Sequence, residues 1–82
     1  MTFNLYSIVK CTNEGIESVQ SFTKLDIAKE IFNDMVESEV ELSKKGNYYD
    51  SHTHINTRAK IFYSEGNWME IEIIENEVFV EV

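Results

Sequence analysis

Asp50, His52 and His54 stand two residues apart within "YYDSHTHIN", residues 48–56. In an extended segment all three would project from one side. Two imidazoles and a carboxylate can hold zinc or a similar metal. A structural zinc needs a fourth ligand, and Cys11 is the only thiol in the chain. The expectation is therefore no metal site and no cofactor. The segment reads as a polar connection, roughly 46–56, whose tyrosines anchor on the domain and whose histidines face water. Tyr48 and Tyr49 are also candidate contact residues, because tyrosine carries binding energy at low entropic cost.

"DSHTH" resembles the D-x-H-x-H signature of metal-dependent amidohydrolases. That resemblance would imply a barrel of several times this length, with further metal ligands from later strands. An 82-residue chain has no room for them. Other catalytic patterns are missing. Ser51 is the one serine near a histidine in sequence, and there is no phosphate loop or dinucleotide fingerprint. Cys11 reads as a small hydrophobe in a strand. The protein is expected not to be an enzyme.

Charge is the strongest compositional signal. Fifteen acidic residues against seven basic ones leave a net charge of −8. Phosphates would repel such a chain, so direct nucleic-acid binding is not expected. A basic protein surface would attract it. Asp26, Glu30 and Asp34 recur at four-residue steps, and Glu37 and Glu41 continue the same helix face. Carboxylates four apart on a helix repeat about every 6 Å, whereas one DNA strand carries a charge about every 3.4 Å. The stripe alone is too sparse to imitate a duplex. Glu65, Glu75, Glu77 and Glu81 could supply a second row if folding brought them beside it.

The elements that must position these residues follow from periodicity. A composition of 43% apolar and 12% aromatic residues fits a folded chain. No apolar run is long enough to span a membrane. "MTFNLYSIVK" lacks a basic leader region, so a signal peptide is not expected. One cysteine cannot make an intramolecular disulfide, which suggests a reducing cytoplasm. "FNLYSIVKC" (3–11) and "IESVQSF" (16–22) read as strands joined through a loop at Asn13, Glu14 and Gly15, which sets Val9 opposite Val19. One face of this hairpin carries Phe3, Leu5, Val9 and Val19; the other carries Tyr6, Ile8, Ile16 and Phe22. Either could face the core.

Thr23 with Asp26 has capping-box spacing, and Phe22 with Ile27 can form a hydrophobic staple. Ala28, Ile31, Phe32, Met35, Val36 and Leu42 then mark the apolar stripe of one long helix. Gly46 is expected to end it. Glu39 falls on the apolar side. It needs a partner unless the helix has already passed the sheet edge, and the second arrangement is the one expected. "TRAKIFY" (57–63) and "NWMEIEII" (67–74) flank "SEG". That hairpin pairs Phe62 with Trp68, Lys60 with Glu70, Arg58 with Glu72, Ile61 with Met69, and Ala59 with Ile71. A turn at Glu75–Asn76 would return a last strand, pairing Ile73 with Val78, Ile71 with Val80 and Met69 with Val82. Phe62, Trp68 and Phe79 would then share an aromatic outer face.

The fold implied is a small single α+β domain over 1–82, an antiparallel sheet of about five strands with one long helix on one face, in the order ββαβββ. In size, charge and layout it is similar to phage and mobile-element accessory proteins, including anti-CRISPR proteins. That resemblance implies an inhibitor of nucleic-acid-handling machinery. The functional expectation is a cytoplasmic, non-catalytic protein that occupies the basic, nucleic-acid-binding surface of a partner. Its contact residues would be Asp26, Glu30, Asp34, Glu37 and Glu41, with Tyr48, Tyr49 or Trp68 as anchors. The alternatives are a homodimeric assembly module using the aromatic sheet face and, more remotely, a metal-dependent enzyme on Asp50, His52 and His54.

Overall fold

The sheet is organised around its first strand, β1 (Thr2–Thr12), which pairs on both sides. A computed structural model describes residues 1–81. After β1 come β2 (Gly15–Phe22), α1 (Leu25–Lys45), β3 (Tyr49–Ile55), β4 (Arg58–Tyr63) and β5 (Trp68–Phe79). The strands form one five-stranded antiparallel sheet in the order β2-β1-β5-β4-β3. The α+β class and the element order match the sequence expectation.

The first hairpin keeps the expected Val9–Val19 pair but reaches it differently. Thr12 pairs with Gly15 across a two-residue turn, and the extra residue is a bulge at Glu17, opposite the step from Lys10 to Cys11. Ile16 consequently pairs with Cys11 and leaves the face that carries Ile8. That bulge resolves which face is inside. Ile8 is buried, with Tyr6 and Phe22 packed against the core, while Ile16 and Val19 stay exposed.

The hairpin of β4 and β5 has the expected register throughout, from Arg58–Glu72 to Phe62–Trp68. The expected turn at Glu75–Asn76 is absent. β5 runs straight on and pairs with β1 from Thr12–Met69 to Thr2–Phe79. A two-residue hairpin turn needs positive φ at its centre, which Glu75 does not favour. The long edge of β1 supplies a partner instead. Val80 follows β5, so its pairing with Ile71 does not form, and the Met69–Val82 pair falls outside the described residues. Phe79 lies on the same side as Met69, Ile71 and Ile73 by strand alternation, opposite Trp68 and Phe62.

The 46–56 segment is mostly strand rather than a connection. β3 is an edge strand with a bulge at Asp50, and its polar side chains suit an edge wet on both faces.

The helix buries Ala28, Phe32, Val36, Val40 and Ser43 against Ile8, Ala59, Ile61, Met69, Ile71 and Ile73. Ile31 and Met35 pack at its flank. Leu42 is 53% exposed, because it sits about 120° around the helix from Val36, the middle of the buried line through Phe32, Val36 and Val40. Both ends differ from expectation. Lys24 takes the cap position with no side-chain bond, so the Thr23–Asp26 capping box does not form, and Ile27 is exposed. At the far end Gly46 is still right-handed (φ −81°), and Asn47 (φ 61°) makes the left-handed step. Asn47 N–H donates to Lys44 O (3.2 Å) and Tyr48 N–H to Ser43 O (3.0 Å), the paired bonds of a Schellman ending. Gly46 serves a different purpose. A Cβ there would collide with Tyr48 Cε1.

Candidate partner-binding surfaces

Asp26, Glu30, Asp34, Glu37 and Glu41 are all exposed on α1. At 100° per residue they fall within an arc of about 80°, a narrow ridge pointing away from the sheet. Between Lys29 and Lys44 the helix has no basic residue. Among the described residues, the ion pairs are Lys10 with Glu17 and Glu39, and Arg58 with Glu70; none uses a carboxylate of the ridge. The second acidic row does not assemble. Glu65 lies at one end of β5, whereas Glu75 and Glu77 lie in its far half, about 23 Å and more beyond Trp68.

Tyr48 and Tyr49 sit at the C-terminal end of this ridge. Tyr48 is 42% exposed, and its ring meets Tyr63 edge-on at 5.2 Å. Tyr49 is half-buried, with Lys44 Nζ 5.0 Å from its ring centre. Its hydroxyl shares a 2.7 Å hydrogen bond with His52 Nδ1. Trp68 is elsewhere. Its neighbour Met69 faces the helix, so Trp68 faces the opposite side of the sheet. The eight expected contact residues therefore divide into a helix surface of seven and a sheet surface that holds Trp68.

The side chain of His52 is tied to Tyr49 of its own strand, and that of His54 to the helix. His52 and His54 pair with Ile61 and Ala59, so both lie on the helix side. His54 Nε2 is 2.9 Å from Asn33 Oδ1, and its ring meets Phe32 edge-on at 5.3 Å. Asp50 is set apart by its bulge. Among the described residues, no three of His, Cys, Asp and Glu are placed to share a metal ion.

Glu39 has the partner its position demands. Lys10 Nζ donates to Glu39 Oε1 at 2.8 Å and lies 3.6 Å from Glu17. Burial pulls the Lys10 pKa down, yet the hydrogen bond and charge of Glu39, with Glu17, outweigh it and raise the value above 10.5. The helix has not passed the sheet edge at Glu39. Nearby, burial, then the charge of Glu39, pushes the Tyr63 phenol up to about 12. The Tyr63 hydroxyl points at Met69 Sδ, 3.8 Å away.

The outer sheet face holds a contact that sequence pairing did not anticipate. Lys60 opposes Glu70 in register, but its ammonium lies over the rings of Trp68 (4.6 Å) and Phe62 (5.4 Å). Glu70 is taken by Arg58 at 3.1 Å along the diagonal. The spacing of Lys60, Phe62 and Trp68 was the available signal, since a lysine diagonal to a cross-strand aromatic can reach its ring.

No protein-family model, curated protein or solved structure matches the chain. No helix among the described residues is long and apolar enough to cross a membrane.

Proposed function

We propose that the protein is a non-catalytic binding protein of the cytoplasm that presents its acidic helix to a basic, nucleic-acid-binding surface of a partner protein and so inhibits it. One observation carries this reading: five exposed carboxylates share one narrow helix arc and, among the described residues, have no ion-pair partner. An unneutralised ridge of this kind accelerates encounter with a basic surface. Its length from Asp26 to Glu41 is about 22 Å, enough to track a groove but not to copy both strands of a duplex. The partner is held by charge spacing along one line, with Tyr48 as the exposed aromatic at the end of it. Trp68 plays no part in this contact, because the sheet lies between it and the ridge.

The test is capture on immobilised protein from a lysate of the source cells, with the triple variant Glu30→Gln, Asp34→Asn, Glu37→Gln alongside. A basic nucleic-acid-binding protein should be retained at low salt, released at high salt and displaced by added DNA or RNA. The triple variant should not retain it. Equal retention by the variant, or retention indifferent to salt, would overturn the reading.

A further inference from the structure

β1 is apolar on both faces. Tyr6 and Ile8 point to the helix, while Phe3, Leu5, Val9 and Cys11 point the other way. Strands with apolar residues on both sides are ordinarily covered on both sides. Here the helix covers one, and among the described residues nothing covers the other. Across β1, Val9 is flanked by Val19 and Cys11 by Ile16, both more than half exposed. The remaining outward pair is Ser7 with Ser21, whose hydroxyls bond each other at 2.8 Å. No outward position of β1 or β2 carries a charge.

We propose that two copies of the chain pack these outer sheet faces together, forming a two-layer β sandwich with both helices outside. Three observations select a second copy as the occupant. The first is charge. A chain of net charge −8 repels its own kind over most of its surface. The outer face is the exception, because its charged positions form two balanced cross-strand rows, Glu70 with Lys60 and Glu72 with Arg58. The second is shape. Aligned sheets stack about 10 Å apart, a gap filled by Val, Leu, Ile and Cys side chains and closed to long charged ones. The outward residues of β1 and β2 meet that requirement. The third is area. The broad face of a 52 × 24 × 17 Å molecule can supply the roughly 800 Å² per partner of a stable interface, with the uncharged β1–β2 strip at its centre and the Arg58, Lys60, Glu70 and Glu72 rows at its rim. The arrangement puts the two acidic ridges on opposite outer sides, so it does not depend on what they bind.

Cys11 lies in the proposed interface and provides an internal reporter, being the only thiol. The experiment measures mass by sedimentation equilibrium and Cys11 reactivity towards a maleimide over a dilution series. Wild type should have twice the 9.6 kDa chain mass, with Cys11 labelling that speeds up on dilution. Val19→Lys, at an exposed outer position, should weaken association by at least about tenfold and expose Cys11. Its far-ultraviolet circular dichroism should not change. Asp34→Asn, on the helix ridge, should leave the dimer intact. A wild type that stays at 9.6 kDa at high micromolar concentration overturns the proposal. So does a dimer that Val19→Lys leaves intact, or one that Asp34→Asn breaks. Binding of the monomer to neutral lipid vesicles through this face would also overturn it, in favour of a lipid surface.

Discussion

Lys10 Nζ and Glu39 Oε1 lie 2.8 Å apart and join the C-terminal end of β1 to the last third of α1. Their side chains retain only 16% and 21% of their exposure, so neither charge is comfortable alone. Exposed pairs contribute under about 1 kcal/mol, while breaking a fully buried one costs about 3–5 kcal/mol. This pair lies between those limits. Lys10→Met and Glu39→Leu should each destabilise the fold by about 1–2 kcal/mol. The double variant should recover most of that loss, since both stranded charges are then gone. Urea denaturation of the four proteins measures the coupling. Purely additive losses would show that the two residues act separately.

Alkaline pH should weaken the same region through two groups. The Lys10 pKa is raised in the fold, so its contribution is complete below the unfolded value near 10.4 and is lost as pH climbs through the folded one. The Tyr63 phenol ionises near 10 when unfolded and at about 12 when folded. Between those values the folded state holds a proton that the unfolded state has released, so stability falls as pH rises. Both slopes have the same sign. Melting temperature should decline from about pH 10 upward, and the native protein should show a late phenolate absorbance step near pH 12. Tyr63→Phe should remove the late step. A Tyr63→Phe variant whose native titration keeps that step would contradict this.

Lys60 should matter to Trp68 more than its charge partner does. The ammonium lies 4.6 Å from the indole centre, and contacts of this kind contribute about 0.5–1 kcal/mol at accessible sites. Lys60→Gln should cost about that much. It should also alter the emission of Trp68, the only tryptophan. Glu70→Gln should leave that emission unchanged, because Glu70 bonds Arg58 rather than Lys60. The opposite pattern would mean that the Lys60–Glu70 pair forms in solution.

Local patterns were legible in the sequence where neighbours in the chain are also neighbours in space. The β4–β5 register followed from alternating charge and apolar residues around Ser64–Gly66, and every expected pair is present. The core face of α1 followed from its spacing, although Val40 was missed and Leu42 wrongly placed. The path of β5 was not legible. Nothing within Glu75–Phe79 announces that its partner is Thr2–Tyr6, more than sixty residues away. Non-local pairing of this kind depends on which edge is free, and only the assembled sheet decides that. β3 was hidden for a related reason, since a polar edge strand carries no apolar alternation. The acidic ridge was legible in full because all five of its residues lie on one helix. Trp68 was grouped with it only because sequence does not say which side of a sheet a helix occupies.

The Ser64–Gly66 turn stores a small strain that can be removed. Glu65 (φ 65°) and Gly66 (φ 81°) are both left-handed. A non-glycine residue there costs about 1–2 kcal/mol, except where Asn or Asp relieves it. Glu65→Asn produces the Asn-Gly pair favoured in two-residue hairpins. It should stabilise the fold by about 0.5–1 kcal/mol in thermal or urea unfolding. No gain, or a loss, would show that the Glu65 side chain makes a contact of its own.

Gly46 offers a test whose sign should reverse with its neighbour. Its φ of −81° is ordinary for any residue, and alanine is the better helix former by about 1 kcal/mol. In the native protein, however, an added Cβ would meet the Tyr48 ring at Cε1 and Cδ1. That ring would have to leave its edge-on contact with Tyr63, which contributes about 0.5–1.5 kcal/mol. Gly46→Ala should therefore destabilise the wild type by about 1 kcal/mol. In a Tyr48→Ala background the obstacle is gone, and the same substitution should stabilise by up to about 1 kcal/mol through helix propensity. Gly46→Ala that is neutral or stabilising in both backgrounds would show that the Tyr48 ring moves aside freely, and that the exposed tyrosine at the end of the acidic ridge is not held in place by the helix.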